Sequence, residues 1–202
     1  MQTKSSAWKF FLILGIFFAI TSEFFQHIIK RSEGEKIEYA QKEILNLEKK
    51  IRESLDVIAS FSADSQFHEY FIHSGQQDLG FSFFYFENGA LKFWSDNTKV
   101  LPENASSEKI NDGTLMTLPD GTYDAFEKSF GNKKIIGLIL LHQTFSYENK
   151  FLVNHFNPKL KLDEQFILST GKGDHLLKSS SGADLLALDF SRAIPDELPF
   201  KT

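Results

Sequence analysis

Residues Phe10–Ile20, FFLILGIFFAI, run without a polar side chain at the head of a chain that is otherwise polar. A helix crosses the hydrocarbon core of a bilayer with about 20 residues, so the run alone falls short. Its flanks supply the difference. Trp8 suits the membrane interface, the Lys9 ammonium reaches back to water, and Phe24–Phe25 carry the apolar face past Glu23. The pattern predicts a membrane anchor over 1–25. A cleaved signal peptide is the competing reading: Lys4 and Lys9 give it a basic start, but Ala19-Ile20-Thr21 matches a small-residue cleavage site poorly.

Over 26–62 the apolar positions take the helical period and predict a stalk helix. Ile37, Ala40, Ile44, Leu47 and Ile51 step by three and four, the spacing of a coiled-coil seam. Glu38–Lys42 and Glu48–Arg52 add acid-first pairs one turn apart. Past Ile51 the stripe drifts to Leu55 and Ile58, as it does where a helix leaves a partner helix and lies on a domain. Two readings follow for the stripe: the seam of a parallel homodimer, or the face that packs on the chain's own domain. On the first, Asp in place of Ile44 and Leu47 disrupts the pairing of the stalks and leaves the sheet folded. Ser32 and Glu35 suit a capping box and Gly34 weakens a helix, so residues from about 23 to 61 read either as one long helix or as two consecutive ones divided there.

The period then shortens. Asp64–His73 predicts a short helix ending near Gly75. Phe81–Phe86 and Ala90–Ser95 flank Asn88-Gly89, a strong hairpin signal, and a polar loop runs from Asp96 to Asp112. Thr114–Leu118, Thr122–Phe130 and Lys134–Leu141, separated by turn residues at Pro119-Asp120-Gly121 and Gly131-Asn132, predict a three-strand meander. Its last strand holds IIGLILL, apolar on both faces, as a central strand covered on both sides requires. The prediction is α+β: a five-stranded antiparallel sheet within 63–158, the long helix across one face, hairpin and meander meeting through their first and last strands. Phe145–Phe156 is expected to turn and close the sheet with a short helix. Within 159–202, Phe166–Ser169, His175–Lys178 and Leu185–Phe190 are extra C-terminal strands, the last two joined across Ser179–Gly182, before a tail with Pro195 and Pro199.

Composition narrows the function. The length of 202 residues fits one ordinary domain plus a stalk, and a net charge of −5 gives no footprint for nucleic acid, so none is expected as a partner. The absence of cysteine excludes disulfides, thiolate metal sites and cysteine nucleophiles. His68-Glu69 lacks the second histidine of a zincin: Ile72 holds that place, and His73, one later, is turned away by roughly 100° on a helix. His142, His155 and His175 have no acid at a ligand-like spacing, and no Ser or Thr follows the lysine of Gly171-Lys172-Gly173 as a phosphate loop requires. No nucleophile elbow, dinucleotide fingerprint or EF-hand loop occurs. No catalytic residue, metal site or cofactor is expected in this chain.

Two polar groups are candidates for binding a small-molecule ligand. Trp94, Asp96 and Asn97 end the second strand of the hairpin, and Tyr147, Glu148 and Asn149 follow the central strand. Neighbouring strands would bring both groups to one end of the sheet. The plainer reading is that Asp96–Asn97 cap a turn and Tyr147–Asn149 cap a helix.

FFYFENGALKFWSDNTKVLP, followed later by GLILLHQTFSYENKFLVNHFNP, resembles the extracytoplasmic sensor region of a group of bacterial two-component sensor histidine kinases. The predicted layout is also that of PAS-like and Cache-like sensor folds. The resemblance spans roughly residues 1–190 and implies an inner-membrane anchor with residues from about 26 onward extracytoplasmic. Charge alone does not decide this, because Lys4 and Lys9 before the span face Lys30, Arg31 and Lys36 after it. It implies a lipid bilayer, a parallel homodimer and an unidentified ligand as partners. ATP, Mg and a response regulator enter only through a cytoplasmic kinase half. After Phe190 there is no second apolar span, His box or Gly-rich ATP lid, so the expectation is the sensory half of a longer protein or a truncated relative. The alternatives are a membrane-tethered binding or scaffold protein without kinase output and, more weakly, a secreted hydrolase.

Overall fold

The computed structural model describes residues 4–61, 66–67, 69–70, 76–147, 149, 152–163, 165–169 and 172–190. Within residues 4–30 the side chains described are those of Leu12, Leu14, Phe17, Phe18 and Thr21. The chain divides into two compact units, Met1–Glu38 and Tyr39–Thr202. One helix, α1 (Lys4–Ala59), contributes to both. Of the two readings, one long helix or two divided near Ser32–Glu35, the continuous helix is the one that forms. A single glycine costs a helix only about 1 kcal/mol, and Arg31 and Glu35 pair across one turn at 3.0 Å.

In the first unit Leu12, Leu14, Phe17 and Phe18 are exposed. The Thr21 hydroxyl donates to the carbonyls of Phe17 and Phe18, at 3.0 Å each, and so needs no outside partner. Among the described residues no helix is long and apolar enough to cross a membrane.

The second unit is built on an antiparallel sheet. Its strands are β1 (Phe81–Glu87), β2 (Ala90–Trp94), β3 (Thr114–Leu118), β4 (Gly121–Phe130) and β5 (Lys133–Gln143). They lie in the order β2-β1-β5-β4-β3, all antiparallel, so hairpin and meander do join through β1 and β5. The hairpin turn needs two left-handed residues, and Asn88 (φ 52°) and Gly89 (φ 76°) supply them.

Register decides the two faces. Phe81, Phe83 and Tyr85 share one face with Ile139, Gly137 and Ile135 of β5 and with Asp124, Phe126 and Lys128 of β4. Helix α1 covers it: a β-carbon added at Gly137 would stand 3.0 Å from Ile51 Cδ1 and 3.4 Å from Leu55 Cδ2. The opposite face carries Phe84, Phe86, Tyr123, Ile136 and Leu138, and Leu101, Ala105 and Ile110 of the polar loop pack on it. Both faces of β5 are therefore dry.

This packing corrects the dimer-seam reading of the stripe. Ala40, Ile44, Leu47 and Ile51 are at most 1% exposed within a single chain, and Leu55 and Ile58 are buried in line with them. The stripe is the helix's core face, occupied by the chain's own domain; Ile37, half-buried, falls in the first unit. Asp at Ile44 or Leu47 would sit unpaired in the core, so it cannot spare the fold.

Of the helix predicted over Asp64–His73, Gln66, Phe67, Glu69 and Tyr70 are helical and the rest lies outside the described residues, as does the tail beyond Phe190. The helix expected within Phe145–Phe156 is absent among the described residues. Asn154 Oδ1 instead accepts from Phe145 N at 2.7 Å, and Asn149 Oδ1 from Leu152 N at 3.0 Å, satisfying backbone groups locally. His155–Phe156 forms β6, paired with the end of β5. A second sheet follows, β7 (Phe166–Leu168), β8 (His175–Lys178) and β9 (Asp184–Phe190), in the order β7-β9-β8. Its β8–β9 hairpin sits on α1. The Gln41 amide donates to Lys178 O at 2.7 Å and accepts from Lys178 N at 2.8 Å, as a strand partner would.

Two substitutions test the helix seat. Gly137→Val forces α1 away from β5 and lowers stability by about 1–3 kcal/mol in urea unfolding. Ile44→Asp buries an unpaired charge and costs about 3 kcal/mol or more by the same measurement. An Ile44→Asp chain as stable as wild type would return the stripe to an interchain seam.

Candidate functional site

Where β2 ends, Ser95 takes over its ladder: Ser95 N donates to Phe83 O at 2.9 Å, and its hydroxyl oxygen accepts from Phe83 N at 2.8 Å. The next residue starts a tight turn, with Asp96 Oδ1 accepting from Thr98 N at 2.9 Å and Thr98 Oγ1 at 2.7 Å. That turn delivers Lys99. Its ammonium lies 3.3 Å from Asp96 Oδ2 and 3.1 Å from Asp120 Oδ2, and its side chain is only 8% exposed. Asp120 comes from the β3–β4 turn. It accepts from Tyr123 Oη at 2.8 Å on Oδ2 and from Gln143 Nε2 at 2.5 Å on its carbonyl oxygen. Asp120 Oδ1 is buried with no hydrogen-bond partner among the described residues.

Two cavities adjoin this cluster on the sheet face away from α1, and Lys99 lines both. One, of 350 Å³, is walled by Ser82, Asp96, Thr98, Leu140 and Gln143; the other, of 380 Å³, by Phe84, Leu91, Trp94, Asn97 and Val100. The first is lined about equally by polar and apolar surface, the second mostly by apolar.

Burial works against the Lys99 charge, but the hydrogen bond and charge of Tyr123, then the carboxylates of Asp96 and Asp120, hold its pKa above the ordinary lysine value. Burial pushes Tyr123 up to about 12, so its hydroxyl is protonated at neutral pH and the two carboxylates are the charges that Lys99 meets. For Asp96 burial is outweighed by the Thr98 hydrogen bonds and by Lys99, and its pKa lies below the ordinary 3.8. A lysine held charged between two acids is no nucleophile, since covalent chemistry at lysine needs the neutral amine. The arrangement offers a fixed cation, a spare carboxylate oxygen and two small cavities, which is the equipment of a binding site.

Of the residues predicted from sequence, Asp96 is in the cluster, and Trp94, 47% exposed, lines the apolar cavity with Asn97. Tyr147 is 70% exposed and Asn149 closes its own turn, while Glu148 lies outside the described residues. The far end of β5 reaches the cluster through Gln143 instead, which donates to the Asp120 carbonyl. Lys99, Asp120 and Tyr123 carried no spacing signal: Pro119-Asp120-Gly121 reads as turn chemistry, and Lys99 is one basic residue among 22. No group of three or more histidines and acids placed to hold a metal occurs among the described residues.

Lys99→Met leaves Asp96 and Asp120 without their cation and lowers stability at pH 7 by about 1–3 kcal/mol. The lowered Asp96 pKa stabilises the fold above 3.8, and that contribution is lost as pH falls through its folded value. The gap between wild type and Lys99→Met, followed by urea unfolding, therefore narrows on acidification; a gap that widens contradicts the assignment. In comparisons with known proteins, the chain matches no family model, no curated protein and no solved structure.

Proposed function

We propose that this chain is the extracytoplasmic signal-sensing portion of a membrane-bound two-component sensor histidine kinase, its second unit a PAS/Cache-like domain. The observation that carries the reading is the strand order β2-β1-β5-β4-β3, with the long N-terminal helix on one face and the Lys99 cavities on the other. The exposed Leu12, Leu14, Phe17 and Phe18 suit a lipid-facing anchor in the inner membrane. A small polar ligand binds at Lys99 and Asp120, favours one arrangement of the sheet, and the sheet biases the helix seated on it. Such transmission needs contacts that differ between two states, and the helix–sheet seat is where they differ. A parallel homodimer uses a surface other than the filled stripe. ATP, Mg and a response regulator belong to a cytoplasmic kinase half.

Alkaline phosphatase joined after residue 190 is active in cells under this reading. A silent phosphatase fusion beside a fluorescent cytosolic fusion at the same position overturns it. In a thermal-shift screen of small polar compounds on the detergent-solubilised chain, at least one compound raises the melting temperature, and Lys99→Met removes that shift. A shift that survives in Lys99→Met moves the ligand elsewhere, and a screen without any shift favours a tethered scaffold.

A further inference from the structure

We propose that Asp124 of β4 keeps its proton beneath the helix and donates it toward Glu48 of α1, and that this proton locks residues 39–59 onto the sheet. Both residues are 0% exposed. Glu48 is held in place: Ser180 N donates to both of its oxygens at 3.0 Å, and Arg52 Nη2 lies 3.4 Å from one of them. Asp124 is not. Neither of its oxygens meets a donor among the described residues; it lies on the sheet face that α1 covers, two residues before Phe126, whose ring Arg52 overlies at 4.8 Å, and Glu48, one turn before Arg52, is the acid set against it.

Two carboxylates so close and out of water do not both ionise. A proton on Asp124 supplies the missing donor and turns a repulsion into a hydrogen bond. The surroundings offer no substitute. From α1, Glu48 and Arg52 face Asp124; from the loop before β3 comes Asp112, which accepts from Arg52 Nε at 3.1 Å. The β8–β9 turn brings the uncharged Ser180, and the register neighbours, Leu115 of β3 and Ile139 of β5, are apolar. Further along the same face, Lys128 is taken by Asp56. Arg52 thus stands against Glu48, Asp112 and Asp124, and the excess acid keeps its proton. Burial first, then the charge and hydrogen bond of Glu48, push Asp124 up to about 9, so the proton is present at neutral pH.

The folded value exceeds the unfolded 3.8, so the stabilisation is complete below 3.8 and is lost as pH rises through about 9. Throughout that interval unfolding releases one proton. For the full chain in detergent, the urea-unfolding constant of wild type rises about a hundredfold more between pH 6 and pH 8 than that of Asp124→Asn, whose amide has no proton to lose. Parallel profiles for the two chains overturn the proposal. Should Asp124→Asn fail to fold, carboxyl-labelled aspartate NMR of wild type decides. One aspartate still protonated at pH 7 supports the retained proton, and all aspartates ionised there overturns it. Neither measurement depends on the membrane or signalling reading.

Discussion

The seating of α1 on β5 is the constraint from which the rest of this fold follows. Gly137 leaves no side chain in the middle of the central strand, and Ile51 and Leu55 come down into that space. Close approach buries the whole stripe from Ala40 to Ile58 and removes water from one face of the sheet. It also commits every polar group under the helix to finding a partner there. Glu48, in sequence a surface ion-pair residue, is drawn fully inside, where the backbone N–H of Ser180 holds it. The β8–β9 hairpin is thereby tied to the same helix that covers the first sheet. Removing the close approach at Gly137 would loosen both sheets together.

Most of the strand architecture was legible because turn chemistry punctuates it. Asn88-Gly89, Pro119-Asp120 and Gly131-Asn132 stand at the three tight connections, and a run such as IIGLILL has nowhere to go but the middle of a sheet. The stripe on α1 was legible as a face but not as to its partner. Steps of three and four serve a dimer seam and a domain surface equally well, and only the drift past Ile51 hinted that the chain covers itself. Phe145–Phe156 misled because its asparagines look like helix caps, whereas Asn149 and Asn154 satisfy loop backbone instead. The Lys99 cluster was out of reach for a different reason. Its members stand at positions 96, 99, 120, 123 and 143, and what assembles them is strand pairing, which no local window contains.

The two faces of the sheet solve their electrostatics in opposite ways. On the loop-covered side Lys99 lies between two acids and retains its charge, so that side is stable when its carboxylates are ionised. On the helix side the acids outnumber the single arginine, and the balance is struck with a proton. Acid therefore weakens one face and strengthens the other. A domain arranged this way has the relative stability of its helix face and its Lys99 face set by pH over a wide range.

The connection between those faces is short. Tyr123, which donates to Asp120 in the Lys99 cluster, and Asp124, which lies against Glu48, are consecutive residues of β4. Successive side chains of a strand point to opposite faces, so the two polar centres are separated by the thickness of one backbone. The pairing of β4 with β5 is also irregular at this point, shifting register between Thr122 and Tyr123. A change at the cavity that moves Asp120 pulls on Tyr123, and any rotation of that segment alters how Asp124 meets the helix. The strand is the shortest mechanical path between the Lys99 cluster and the helix side, and its one register shift against β5 lies at the residue where the path begins.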